Sequence, residues 1–501
     1  MQEILINAGA AETRVAIVED GKLQALTRTR TFGADGDVPE HGGRSFVGDI
    51  VLGRVVKVLP AVQAAFVEIG HERAGFLGAR EARCLAEAQS AEHDLTIGEL
   101  VREGDEVLAQ IIKDPIGEKG ARLSAAVTIP GRLSVLTPSQ PGIAVSRRIE
   151  DEAERARLLA IGEAIAAEIE DNFIPGAGYI FRTASVGAQP DDIRDDAAQL
   201  AHDWRAIMAA RKKASPPALL HRDLGAVERA MRDIVHYDTV RVLIDDAEAA
   251  EAARAFCRRT MPQMESRIEL FSGPGALFDS HDLESDIDGL MRTRVPLACG
   301  GWITIEGTEA LTAVDVNSGR FTHASGLEDT SLSVNLEAAR ELGRQLRLRG
   351  IGGMIVVDFM HMKDEEHVRR VLEALTQSLS RDGTPFTASP PSPLGLVEIS
   401  RKRVREAWVS LMCESCGTCA GQGAVRRIDA VAMDIVRKVE AGARAAPGKA
   451  IRVHAAPEIV RWFEEHGESL RVALTRKGAA RISFEADATY TRERFDVGTV
   501  A

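Results

Sequence analysis

Alternating apolar and polar residues open the chain. Residues 3–7, 13–19 and 22–29 each read as half-buried strands, and Asp20-Gly21 reads as the tight turn of a hairpin. Residues 33–43 form a polar, glycine-rich link. Residues 49–59, 64–69, 74–77 and 105–113 continue as short strands with turns between them, the pattern of a small barrel. Residues 150–214 turn helical, interrupted by a strand at 178–183, and Ser215-Pro216-Pro217 marks a boundary. A compact α/β section follows to about residue 273. Residues 300–400 then alternate strands with helices. One of those helices, 333–348, carries Arg340, Arg344 and Arg347 on one face, a basic stripe that Glu337 and Glu341 could pair locally. Arg401-Lys402-Arg403 is a second basic cluster with the same two readings. A cysteine-rich knot at 413–423 precedes a final α/β piece, 425–501.

Composition narrows the class. A chain of 501 residues with 45% hydrophobic and 27% charged residues is that of a globular protein of three or more domains. Only 4% is aromatic, so the core rests on Ala, Val, Leu and Ile. No apolar run reaches the length of a membrane span. The N-terminus lacks the basic start and long apolar stretch of a secretory signal, and six scattered cysteines make no disulfide scaffold. A reducing cytoplasm is the expected location. The net charge of −13 argues against indiscriminate coating of nucleic acid, but not against a nuclease with a locally basic groove. The excess of 51 Arg over 11 Lys suits phosphate recognition, although a bias in genome composition gives the same excess.

Two segments carry the strongest chemistry. Leu311-Thr-Ala-Val-Asp-Val-Asn-Ser-Gly319 and Gly352-Gly-Met-Ile-Val-Val-Asp-Phe359 are apolar β-type runs, each with one carboxylate, Asp315 or Asp358. Residues two apart on a strand share a face, so Asp315 and Asn317 point the same way. With Asp358 ending a nearby strand, the three could hold Mg²⁺, which takes one or two carboxylates and keeps positions for water and phosphate oxygens. An Asp at the end of a buried strand is often only a helix cap. Asp315 resists that reading, because it sits within an apolar run where an unpaired charge is costly. In the barrel region Phe46, Phe66 and Phe76 interleave with Arg54, Lys57 and Arg73, as on OB-type surfaces that stack single-stranded bases. The competing reading for any one Phe is core packing.

Cys413-Glu-Ser-Cys416-Gly-Thr-Cys419-Ala-Gly-Gln-Gly423 holds two overlapping Cys-x-x-Cys units with glycines that permit tight turns. Structural Zn²⁺ takes four ligands, and Cys84, Cys257 and Cys299 are solitary. Either Cys413 and a His complete the set, or a second copy of the chain does, with zinc at the seam of a symmetric oligomer. A redox dithiol would sit at a helix start in a thioredoxin-like unit, which the pattern does not show. The chain has no Gly-x-x-x-x-Gly-Lys-Ser/Thr loop, no His-Glu-x-x-His and no Gly-x-Ser-x-Gly.

These stretches together resemble the ribonuclease E/G family nearly end to end. Besides the two acidic runs, the resemblance rests on Gln345-Leu-Arg-Leu-Arg349, Ser146-Arg-Arg-Ile-Glu150, Phe181-Arg-Thr-Ala184 and Ala64-Ala-Phe-Val-Glu68. It implies an α/β multidomain fold. A split RNase H-like domain would occupy 1–45 and 227–290, with an OB-fold barrel at 46–125 and a 5′-sensor domain at 126–226 inserted. A deoxyribonuclease-I-like catalytic domain at 291–409, a zinc link at 410–424 and a small C-terminal α/β domain at 425–501 would follow.

By the same resemblance, Asp315, Asp358 and Asn317 would be catalytic, with Mg²⁺ on the two carboxylates. Arg182 and Thr183, with Gly131 and Val135, would bind a 5′-phosphate. Phe66, Phe76 and Lys119 would contact RNA, the last from the loop Gly117-Glu-Lys-Gly120. Zinc would be structural and shared between protomers. The family's usual Cys-Pro-x-Cys-x-Gly-x-Gly is matched in the register Cys416 to Gly423, without the proline and with Cys413 extra. Cys416 and Cys419 are therefore the expected ligands, with Cys413 open as a third. The length is that of the shorter, G-type members or of a tail-less E-type member. The implied activity is Mg-dependent cleavage of single-stranded RNA with preference for 5′-monophosphorylated ends, giving 5′-phosphate and 3′-hydroxyl products. Its settings would be rRNA and tRNA processing and mRNA decay, and its assembly a homodimer or dimer of dimers. The rival is a non-catalytic, zinc-bridged RNA-binding scaffold.

Overall fold

A computed structural model describes residues 1–30, 46–86, 95–115, 120–167, 174, 176–236, 238–320, 326–419, 421–476 and 481–500. The chain divides into two compact units, Met1–Trp408 and Val409–Ala501.

The opening hairpin forms as the alternation predicts. Gln2–Ala8, Glu12–Glu19 and Lys22–Arg30 pair antiparallel, and Asp20 and Gly21 both take positive φ, 49° and 75°. Both turn residues must do so in the hairpin turn whose twist matches the strands. The sequence pattern could not show what completes the sheet. Thr239–Ile244 returns from more than 200 residues away to lie parallel beside Gln2–Ala8, and Ile268–Leu270 pairs outside it. Everything between is an insertion into this sheet.

The insertion begins with a closed five-stranded, OB-like barrel. Ile50–Leu59 pairs with Ala64–Glu68, then Gly75–Gly78, Arg122–Ser124 and Glu106–Lys113, which closes back on Ile50–Leu59. Val51, Val55, Val67, Leu77, Val107 and Leu123 fill its interior.

Beyond the barrel lies a four-stranded sheet, Gly142–Val145, Gly178–Phe181, Ser134–Thr137 and Ile129–Pro130, with helices Glu152–Ala167 and Pro190–Arg211. Only the strand at 178–181 follows from the sequence pattern. The three before it are two to four residues long and lie beside Pro130, Pro138 and Pro141, so no alternation builds up.

The third sheet runs Arg294–Pro296, Trp302–Gly307, Thr312–Asn317, Gly353–Asp358, Leu396–Arg401, Phe386–Ala388. Helices Leu327–Arg349 and Glu365–Ser380 cover one face through Val314, Val316, Ile355 and Val357. The first helix starts six residues before the expected 333. Glu328 and Asp329 in its first turn favour the positive helix start, and Gly350 at φ 65° ends it.

The second unit packs a three-stranded sheet, Arg481–Ala486, Ala450–Ala455 and Phe495–Val500, against helices Ile428–Ala445, Pro457–His466 and Glu468–Arg476. Across the described residues no helix is long and apolar enough to cross a membrane.

Candidate active site and RNA-contact surfaces

The two acidic runs become neighbouring parallel strands, and Asp315 and Asp358 are register partners. Adjacent strands lie about 4.8 Å apart, so the carboxylates rise side by side. Strand alternation sends Val314, Val316, Ile355 and Val357 into the helix-covered core and Ala313, Asp315 and Asp358 to the open face. The amide of Asn317 donates to Asp315 Oδ2 at 2.7 Å, which fixes that carboxylate's orientation. Neither carboxylate has a Lys or Arg partner among the described residues, although the chain is rich in Arg. A pair of adjacent acids left without cations is a donor set suited to Mg²⁺ with water completing the shell. It is not an all-protein cage, since no group of three or more His, Cys, Asp or Glu side chains gathers among the described residues.

Three further groups flank the acidic pair, two on the open face and one in the covering helix, and the sequence reading missed them. Asn335, fully buried in the covering helix, donates to the Met360 carbonyl at 2.8 Å and accepts from Met360 N–H at 3.0 Å. It thereby holds the chain just after Asp358. Trp302 is the register partner of Asn317, and the Arg294 guanidinium lies 3.7 Å over its ring. Glu398 projects from the far side, beside Val356. Register alone would have found Trp302 and Glu398, but register needs the strand order, which a single sequence does not supply.

The basic stripe divides. Arg344 pairs with Glu341 at 2.7 Å and donates to the Leu23 carbonyl at 2.8 Å. Arg347 donates to Gln24. Both are structural, and Arg340 alone stays exposed. Within Gln345–Arg349, Arg349 bonds Gln345 Oε1 and the Arg292 carbonyl, each at 2.7 Å, and burial lowers its pKa to about 10. In the second cluster Arg401 is buried, bonds the Ile351 carbonyl at 2.9 Å and pairs with Asp382. These arginines hold the fold rather than offer themselves to phosphate.

On the barrel, Phe66 and Phe76 face each other across adjacent strands, ring centroids 6.2 Å apart at 74°. Neither belongs to the barrel core, and both are half-exposed. Their strand partners are Lys57 and Arg122. Phe46, by contrast, packs against that core. Lys119 lies outside the described residues.

In the inserted sheet Arg182 donates to the Gly131 carbonyl at 2.6 Å and to Asp233 Oδ1 at 2.7 Å. Gly131 and Arg182 thus meet. Thr183 follows, exposed, and Val135 sits on the adjacent strand opposite Ile180. The Asp196 carboxylate accepts from the N–H groups of Arg132, Leu133 and Ser134 and from the Ser134 hydroxyl. Burial pushes its pKa up against those donors. A Cβ on Gly131 would lie 2.7 Å from Asp196 Oδ2, so glycine is required there.

Cys413 and Cys416 are exposed and Cys419 half-exposed. Backbone N–H groups of Cys419 and Thr418 hold the Cys416 thiol below its usual range. The turn lies well before the helix at Ile428, not at its N-terminus.

Known proteins match throughout. The ribonuclease E/G family model matches residues 128–404, and the model described as the thioredoxin-like domain of RNase E/G matches 415–500. The second match corrects the expectation that no thioredoxin-like unit is present. Its first strand, Ala450–Ala455, is separated from the other two by helices, and none of the three carries a cysteine, which is why the pattern hid it. Ribonuclease G of Salmonella typhimurium is 35% identical over 500 residues, and that of Escherichia coli (strain K12) 36% over 501, each match covering 99% of both chains. Ribonuclease E of Haemophilus influenzae is 36% identical over 445 residues, 88% of this chain and 46% of that protein. The chain belongs to the ribonuclease E/G family.

Proposed function

We propose that the protein is an endoribonuclease that cuts single-stranded RNA on the open face carrying Asp315 and Asp358. The observation that carries this reading is the register pairing of two carboxylates without cation partners. A pure RNA binder gains nothing from acids facing a phosphate backbone. Asp315 and Asp358 would hold Mg²⁺, and Asn317 would keep Asp315 oriented toward it. When bound, Mg²⁺ supplies acidification of a water and neutralisation of the scissile phosphate. Attack at phosphorus breaks the bond to the 3′-oxygen, which leaves with a proton, giving 5′-phosphate and 3′-hydroxyl ends.

The remaining residues position the strand. Phe66 and Phe76, with Lys57 and Arg122 beside them, would stack bases on the barrel. Lys119 would join them. Trp302 under Arg294 offers a second stacking surface next to Asn317. Arg182 and Thr183, with Gly131 and Val135 around them, would take a 5′-monophosphate and so orient the cut. Cys416 and Cys419 would bind zinc jointly with the same pair from a second copy, making a homodimer or a dimer of dimers. Cys413 is the less favoured ligand, because the family match begins at residue 415. The seven-part domain division, with the boundaries stated above, belongs to this reading. So do a cytoplasmic location and roles in rRNA and tRNA processing and mRNA decay.

The test is cleavage of a 5′-monophosphorylated oligoribonucleotide by wild type and Asp315→Asn, with EDTA treatment followed by return of Mg²⁺. Cleavage should vanish in the variant and with EDTA, and Mg²⁺ should restore it in the wild type. Equal cleavage by both proteins would leave the non-catalytic scaffold as the better account.

A further inference from the structure

On the helix side of the catalytic sheet lies a cavity of about 720 Å³, between the opening hairpin, the loop before Arg294 and the helix Leu327–Arg349. Its charges do not balance. Each of its three carboxylates is already engaged. Glu337 accepts from the Ala298 and Cys299 N–H groups, Glu341 holds Arg344, and Asp286 lies 3.7 Å from Arg344. Four of its cations are not. Lys22, Arg292, Arg294 and Arg340 are exposed and have no carboxylate partner among the described residues, and Arg294 lies over the Trp302 ring. In a chain of net charge −13 this is a local surplus of positive charge against its own background.

We propose that this cavity binds a small anion with two or more phosphate groups. The volume is that of a small-molecule site, in the range of about 300–1,000 Å³, rather than of a track for a polymer. Three arginines offer forked, always-charged donors that match phosphate oxygens, and Lys22 adds a point charge from the hairpin. Arg344 and Arg347 cannot swing away to neutralise a ligand, because their guanidinium groups hold the Leu23 and Gln24 carbonyls. Arg347 is thereby a fixed positive charge at the wall, while the charge of Arg344 is met by Glu341. Arg294 belongs both to the cavity and to the open face, so an occupant meets the edge strand next to Trp302 and Asn317. The site is distinct from Arg182, which lies in the inserted sheet and is paired with Asp233.

The test is calorimetric titration of the full chain with inorganic pyrophosphate, without added Mg²⁺. Saturable binding is expected, weakened at least about tenfold by Arg340→Ala and lost in Arg292→Ala/Arg340→Ala. Arg182→Ala should leave it unchanged. Thermal melting of each variant, expected within a degree or two of wild type because the side chains are exposed, excludes misfolding. Absence of saturable binding overturns the proposal, as does wild-type affinity in the double variant or loss in Arg182→Ala alone. In a second arm a 5′-hydroxyl oligoribonucleotide is added in the Asp315→Asn background. If it displaces pyrophosphate through the same arginines, the site takes the phosphates of RNA and the small-anion assignment falls.

Discussion

The open face of the third sheet and the Arg182 loop treat charge in opposite ways. On the sheet, Asp315 and Asp358 are register partners, and neither pairs with a Lys or Arg among the described residues. In the loop, the Arg182 guanidinium is met by Asp233, and the N–H groups of residues 132–134 are filled by Asp196. Two adjacent uncompensated carboxylates are costly, so the first arrangement lowers its energy when a cation arrives. The second is complete as it stands. A phosphate reaching Arg182 must compete with Asp233, and the net gain is smaller than the bare contact. The difference predicts an ion requirement that is nearly absolute and a 5′-end preference that is graded.

The first half of that contrast is the easiest to break. Asp358→Asn removes one charge of the pair, and loss of a metal contributing several kcal/mol at tenfold per 1.36 kcal/mol should cost about 10³-fold or more in kcat/KM. Raising Mg²⁺ should recover part of it, and full recovery at ordinary Mg²⁺ would contradict the site. Folding should be intact, since Asp358 is on the open face.

The second half is sharpened by two substitutions of opposite sign. Arg182→Ala should remove about 1.5–3 kcal/mol of charge-assisted bonding, roughly 10–100-fold in the ratio of kcat/KM for 5′-monophosphate over 5′-hydroxyl RNA. Asp233→Asn should raise that ratio severalfold by freeing the guanidinium, while Arg232 keeps Asp223 at 3.6 Å. If Asp233→Asn lowers the ratio instead, Asp233 positions Arg182 rather than competing for it. On the barrel, Phe66→Ala should raise KM by about five- to a hundredfold, from stacking worth about 1–3 kcal/mol per base, with kcat less affected. A change confined to kcat would remove Phe66 from the binding surface.

How legible each region was follows from the range of its contacts. Asp315, Asn317 and Asp358 could be read because each lies in a long apolar run whose alternation fixes the face. Their adjacency could not be read from spacing, because it depends on two strands 43 residues apart pairing in parallel with one particular register. The hairpin at 2–30 was visible down to its turn, since the pairing of its three strands with one another is local. The return of Thr239–Ile244 to the same sheet left no local trace. Arg340, Arg344 and Arg347 look equivalent on a helical wheel. What separates them is the Leu23 and Gln24 carbonyls more than 300 residues away, which only the fold brings near. Arg182 is paired with Asp233, which lies 51 residues on and carries no marker of its own in the sequence.

The smallest effect tests whether the self-paired character extends beyond Arg182. Glu154 opens the helix Glu152–Ala167, pairs with Arg157 and accepts from Gly187 N–H at 2.9 Å. The Arg157 guanidinium holds its pKa down at about 2 from the usual 4.5. A carboxyl whose folded pKa is depressed gives stability that is fully present above the unfolded value, and that stability is lost as pH falls through the folded value. Glu154→Gln should therefore lower the melting temperature at neutral pH by a few degrees at most. The gap to wild type should narrow only below about pH 4.5 and close near pH 2. A gap independent of pH across that window would mean that the carboxylate charge contributes nothing and that the hydrogen-bond geometry alone holds Gly187.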